Sequence, residues 1–150
     1  MRNKRILVTS ILLTVSTFLS AQKWETSFDV AKTKADLEGK NIVLNFSGSD
    51  WCIPCIKLEK TIWESRDFIE YSTAHFILLR ADFPKKKADA LPKEQQDMND
   101  KLAESYNKQG LFPLVVVLDK KGKTLGITGY KNITPKEYIA LLHSFETNSH

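Results

Sequence analysis

Cys52 and Cys55 are the only cysteines in the chain, three positions apart within Trp51-Cys52-Ile53-Pro54-Cys55. Thiols at this spacing can cycle between dithiol and disulfide, form an inert staple, or supply half of a metal site. A staple gains little, because closing so short a ring contributes about 2 kcal/mol of chain entropy before strain is subtracted. A zinc site needs two further ligands, and His75, His143 and His150 are scattered, without an H-x3–5-H pair. Redox exchange is the chemistry this spacing favours, and no metal or cofactor is implied.

The neighbouring residues set up that chemistry. The apolar run Ile42-Val43-Leu44-Asn45-Phe46 reads as a buried strand, and Ser47-Gly48-Ser49-Asp50 as the turn leading into a helix. Cys52 then falls at the helix's first turn, where unpaired N–H groups and the macrodipole favour a thiolate. Pro54 suits that turn because its missing N–H would have had no partner there. Cys55 lies on the same face, within disulfide reach and more deeply buried. The pattern predicts a low-pKa attacking thiol at Cys52 and a shielded resolving thiol at Cys55.

Residues 1–21 read as a leader to be set aside before the fold. Arg2, Lys4 and Arg5 precede the apolar stretch from Ile6 to Leu19, and the small residues Ser20-Ala21 close it. This is the pattern of a secretory signal ending at Ala21. The apolar stretch is shorter than the roughly 20 residues that span a bilayer. Leu19 is a poor fit three positions before the cut, so an uncleaved anchor is the alternative. Without the leader's three basic residues, the chain's 22 basic and 18 acidic residues become 19 against 18, a net of +1. That charge gives no case for nucleic acid. Export would place the cysteine pair where disulfides persist and where partners set its redox state.

Residues 22–150 form one α/β domain. Residues 22–40 read as a lead-in with Trp24 as a packing anchor, then a helix capped by Ser27 and ended by Gly39, with Phe28, Ala31, Ala35 and Leu37 buried. After Cys55, Leu58 and Ile62 continue inward while Lys57, Glu59 and Lys60 face out. Ser65 opens a second piece packed by Phe68, Ile69 and Tyr71. Phe76-Ile77-Leu78-Leu79 is a second unrelieved apolar run, which argues for parallel pairing. Residues 83–92 are a solvated basic loop. Lys93 to Gln109 is helical, with Met98, Leu102 and Tyr106 inward and Gly110 as its stop. Pro113 heads the strand Leu114–Leu118, a position that admits a cis X–Pro bond. A hairpin at Asp119–Lys123 returns as Thr124–Thr128, and Thr134-Pro135-Lys136-Glu137 caps the last helix. Tyr138, Ile139, Leu142 and Phe145 supply its inner stripe.

This order, from about residue 24 to 146, resembles the thioredoxin-like family. The resemblance rests on Asn45 through Cys55 and on Gly110-Leu111-Phe112-Pro113-Leu114-Val115-Val116-Val117-Leu118-Asp119. The spelling of the first segment is similar to exported bacterial members. The resemblance implies a three-layer sandwich, with helices on both faces of a central mixed sheet. It also implies that Cys52 attacks a substrate disulfide, that Cys55 resolves the mixed disulfide, and that the two form the redox-active disulfide. Pro113 would be a cis-proline holding substrate backbone beside Phe112, with Trp51, Ile53 and Pro54 shaping the docking surface.

Family members carry a buried Asp before the motif, paired with a Lys on the next strand. Here the acid's position is Asn45, and the lysine's falls near Leu78, so both partners are expected to be absent. Asn45 hydrogen-bonds but is no general base at neutral pH. Asp50 would substitute only partly, since its charge disfavours a Cys52 thiolate. Slow resolution, or water as the base, is therefore expected. The leading function is an exported, monomeric thiol–disulfide oxidoreductase, more of a reductase, acting on protein thiols and disulfides of the cell envelope. It would require a membrane or periplasmic redox partner and bind no nucleic acid. The alternative is a binding or chaperone-like module whose CxxC stays oxidised and which docks through Trp51, Ile53 and Phe112.

Overall fold

Strand β2 (Asn41–Ser47) carries no charged residue and is buried from Ile42 onward, because it is covered on both faces. A computed structural model describes residues 22–147, and the expected leader with its end at Ala21 lies outside them. The five-stranded sheet has the order β1-β3-β2-β4-β5. β3 (Phe76–Asp82) pairs parallel to β2 from Asn41↔Phe76 to Ser47↔Asp82. β4 (Leu114–Leu118) pairs antiparallel to β2, with Leu114 opposite Phe46, and β5 (Thr124–Thr128) is antiparallel to β4. The lead-in contributes a short edge strand unforeseen in the sequence, β1 (Trp24–Glu25), parallel to β3.

Side-chain alternation divides the core into two layers. Ile42, Leu44 and Phe46, with their neighbours on β3 and β4, pack against Ala31 and Ala35 of helix α1 (Phe28–Glu38) and Leu102 of α4 (Lys93–Tyr106). Val43, Leu78, Val115 and Val117 face Leu58 of α2 (Ile53–Leu58), Phe68 of α3 (Arg66–His75), and Tyr138 and Leu142 of α5 (Pro135–Thr147). The mixed sheet between two helix layers is the expected sandwich. Trp63 fills the second layer, within 5.6 Å of the rings of Trp24, Phe68 and Tyr138. Among the described residues, no helix is long and apolar enough to cross a membrane.

Several expectations fail for local reasons. Leu37 is 80% exposed, since its neighbours Ala31 and Ala35 already bring α1 against the sheet. On α4 the buried residues are Asn99 and Leu102, and Met98 instead edges a surface cleft with Phe28 and Tyr106. Asn99 is inside because its Nδ2 donates to the Asp82 carbonyl at 2.8 Å. The loop after β3 is not merely solvated, since it is laced to the cysteine turn. Ser27 and Ser65 do cap α1 and α3, and Gly39 ends α1 at φ 65°, where a Cβ would be strained.

Candidate redox site

Residues 48–52 form the turn that delivers the cysteines. Trp51 N and Cys52 N donate to the Gly48 carbonyl at 3.2 and 2.9 Å, so the chain turns sharply off the end of β2. A Cβ on Gly48 would lie 2.4 Å from the Trp51 indole, hence only glycine lets that ring settle on the turn. Ser49 donates its N–H and hydroxyl to the Asp82 carboxylate at 2.9 and 2.5 Å. Trp51 Nε1 donates to the Phe83 carbonyl at 2.8 Å, and the Lys85 ammonium lies 3.8 Å from the ring's centre.

Asp50 accepts from the backbone N–H of Lys85 at 3.0 Å and of Lys86 at 2.7 Å. Desolvation raises its carboxyl pKa, but these two N–H donors, with its own N–H and the Lys86 charge, outweigh it and hold the group below the ordinary value. Its charge is therefore committed to the loop after β3.

Cys52 occupies the N-cap of α2 in extended conformation, and its Sγ accepts the Cys55 N–H at 3.3 Å. Cys52 and Cys55 form a disulfide, with Cα atoms 5.2 Å apart. The expected contrast in burial is absent: each residue is 4% exposed. Trp51 and the Phe112 ring, 5.4 Å apart edge-to-face, crowd this end of the sheet. What separates the two sulfurs is position, because Cys52 Sγ sits at the helix mouth facing a backbone donor. Ile53 and Pro54, the first helical residues, are exposed beside it.

The Phe112–Pro113 peptide bond is cis. It precedes Leu114, whose register partner Phe46 stands just before the cysteine turn, so the bend and the motif share one end of the sheet. Phe112 also packs on Phe83 at 5.4 Å, joining the bend, the turn and the loop after β3 in one aromatic ridge. The structure thus brings together Trp51, Cys52, Ile53, Pro54, Cys55, Phe112 and Pro113, with Asp50 bracing the turn.

Below the motif, the residue opposite Asn45 on β3 is Arg80. The Arg80 Nη2 donates to both Glu59 oxygens at 2.9 and 2.6 Å. Glu59, expected outside, is half-buried because it follows Cys55 by four residues, one helical turn along the same face. The helix then widens, with Glu64 N donating to the Glu59 carbonyl at 2.9 Å, five residues back. Glu59 and Arg80 escaped the sequence reading, although the four-residue step from Cys55 was a usable signal.

The model of a family described as a thioredoxin-like domain matches residues 28–146. The chain is 34% identical over 122 residues to the disulfide bond reductase DsbH of Chlamydia pneumoniae, covering 81% of this chain and 71% of that protein. It is 24% identical over 102 residues to the thioredoxin-related protein DsbJ of the same organism, covering 68% of this chain and 28% of that longer one. The solved structure of a DsbH oxidoreductase matches with a TM-score of 0.78 at 30% identity, covering 93% of this chain and 96% of that one. A thioredoxin from Thermus thermophilus shares the fold with a TM-score of 0.63 at 16% identity, covering 86% and 90% of the two chains. Sequence likeness along most of the chain and a disulfide seated at a helix mouth agree, so the chain belongs to the thioredoxin-like family and is a thiol–disulfide oxidoreductase.

Proposed function

We propose that the protein reduces disulfides in protein substrates outside the cytoplasm, with Cys52 as nucleophile and Cys55 as resolving thiol. The observation that carries this reading is the N-cap seat of Cys52, whose sulfur faces the Cys55 N–H. A backbone donor and the helix's N-terminal end stabilise negative charge there, so the dithiol form would present a thiolate. That thiolate attacks one sulfur of a substrate disulfide, forming a mixed disulfide and releasing a substrate thiolate, which takes a proton from solvent. Cys55 then attacks Cys52 Sγ, the second substrate sulfur leaves, and the protein disulfide remains. Two electrons pass to the substrate, and a membrane or periplasmic dithiol partner must restore the protein.

Ile53, Pro54, Trp51 and Phe112 form the surface met by the substrate, and the backbone at Phe112–Pro113 offers an edge for its main chain. The reductase direction draws support from the name of the C. pneumoniae relative. The extracytoplasmic location draws on the leader at residues 1–21, and the working unit is a monomer.

The test is turnover of insulin disulfides by the protein kept reduced with dithiothreitol, compared with Cys52→Ser, Cys55→Ser and the double variant. Wild type should exceed the double variant by at least tenfold. Cys52→Ser should be inactive, and Cys55→Ser should accumulate mixed disulfide. Wild type no faster than the double variant would end the reductase reading.

A further inference from the structure

Residues 83–92, the connection after β3, carry Lys85, Lys86 and Lys87 in succession against one acid, Asp89, a net of +2. Residues 22–150 hold 19 basic and 18 acidic residues, so the rest of the domain counts 16 against 17, a net of −1. Positive charge is therefore concentrated on this one loop. The loop is fastened to the cysteine turn by its main chain. Phe83 N donates to the Ser47 carbonyl at 2.8 Å, the Phe83 carbonyl accepts from Trp51 Nε1, and Asp50 accepts from the N–H groups of Lys85 and Lys86. The three ammonium groups are not spent on holding it. All three lysines are exposed, and none of the ion pairs among the described residues involves them. The face of Trp51 attracts the Lys85 ammonium, which keeps that flexible side chain beside the cysteine turn. The carboxylates at this end are committed elsewhere: Asp50 to the loop backbone, Asp82 to Ser49, and Glu59 to Arg80.

We propose that Lys85, Lys86 and Lys87 form a docking ledge for acidic segments of the substrate protein that lie beside the disulfide to be reduced. The inference rests on the reductase reading above and names its substrate class, protein disulfides flanked by Asp or Glu. Ile53, 63% exposed, and the half-buried rings of Trp51 and Phe112 contact apolar groups of any polypeptide alike. Charge at the rim is what separates one substrate from another, through the rate of encounter. Cations left without partners beside Trp51 raise the concentration of acidic segments near Cys52, and salt weakens that attraction. Segments flanked by Lys or Arg are repelled. A protein segment fits this ledge better than a lipid surface does, because residues 83–92 expose no large apolar side chain to enter a bilayer.

The test uses cystine peptides of one sequence with Glu, Gln or Lys on both sides of the disulfide. Each is mixed with the reduced protein, and each rate is divided by the same peptide's rate with free dithiothreitol, which removes its intrinsic reactivity. At about 10 mM salt, where charges are felt over about 30 Å, wild type should reduce the Glu peptide about tenfold faster than the Gln peptide, and the Lys peptide most slowly. At about 1 M salt the Glu-to-Gln ratio should fall towards one. Replacing all three lysines by Gln leaves the backbone donors to Asp50 in place and should bring the low-salt ratio near one. Replacement by Glu should invert the preference, and replacement by Arg should keep it. A ratio read within each protein cancels any general change in activity or folding. Equal low-salt rates for the Glu and Gln peptides in wild type would overturn the proposal, as would a ratio unmoved by salt or by the Gln replacements. A wild type without peptide preference that sediments with phosphatidylglycerol vesicles through these lysines would assign the ledge to a lipid surface and overturn it too. A reduced wild type that reacts with none of the peptides would bring down the reductase reading and this inference together.

Discussion

Asp50 and Glu59 flank the cysteine pair along the chain, and each carboxylate is committed to a different partner. Asp50 binds the backbone of Lys85 and Lys86, so its negative charge braces a loop. Its pKa lies below the ordinary carboxylate value of 3.8, and so its contribution to stability is full above that value. The contribution is lost as pH falls through the lower, folded-state value. Asp50→Asn should therefore unfold at lower urea than wild type at pH 7, and the two curves should converge in acid below 3.8. A difference that persists unchanged at pH 2 would show that the carboxylate charge is not what braces the loop. For Glu59 the sequence held a clue in its spacing from Cys55, because residues four apart share a helix face. Arg80 offered no such clue, since its place opposite Asn45 depends on the register between two strands 35 positions apart in the chain.

The helix-bearing segments were legible because their ends are chemically marked. Thr134 and Glu137 satisfy one another's backbone at the start of α5: Glu137 Oε2 accepts from Thr134 N at 2.7 Å, and Thr134 Oγ1 accepts from Glu137 N at 3.3 Å. Thr134→Ala should cost about 1 kcal/mol in urea unfolding, the ordinary cost of a lost N-cap. A value near zero would mean that Pro135 and packing alone fix this end. α2 is different. Its first residues follow the expected plan, yet its continuation from Glu59 to Trp63 is wider than an α-helix. No residue type announces that change, and packing of Ile62 and Trp63 into the layer beneath accompanies it. The basic loop after β3 likewise looked like surface, because backbone donors to Asp50 have no sequence signature.

At the scale of the whole molecule, stability rests on two apolar layers and little on the cysteine ring. The Trp63 side chain is fully buried among aromatic and aliphatic neighbours, and Trp63→Ala should cost about 3–5 kcal/mol by urea denaturation. That is a large part of the roughly 5–15 kcal/mol that holds an ordinary domain together. Reducing the Cys52–Cys55 disulfide should change stability by only about 2 kcal/mol or less, since the loop it closes is so short. Equilibrium unfolding of the oxidised, reduced and Trp63→Ala forms side by side tests this ranking. A larger loss on reduction than on Trp63→Ala would overturn it.

Apolar periodicity, capping residues and one close thiol pair determined the elements, the layered sheet and the kind of chemistry, because each of these is written in neighbouring residues. The tertiary structure alone decided the equal burial of the two cysteines, the Asp50 tether, and the meeting of Cys55, Glu59 and Arg80 beside one cleft. Those features arise where separate segments converge. Strand register and the angle at which a helix crosses a sheet place such residues together, and both are settled by packing of the whole chain.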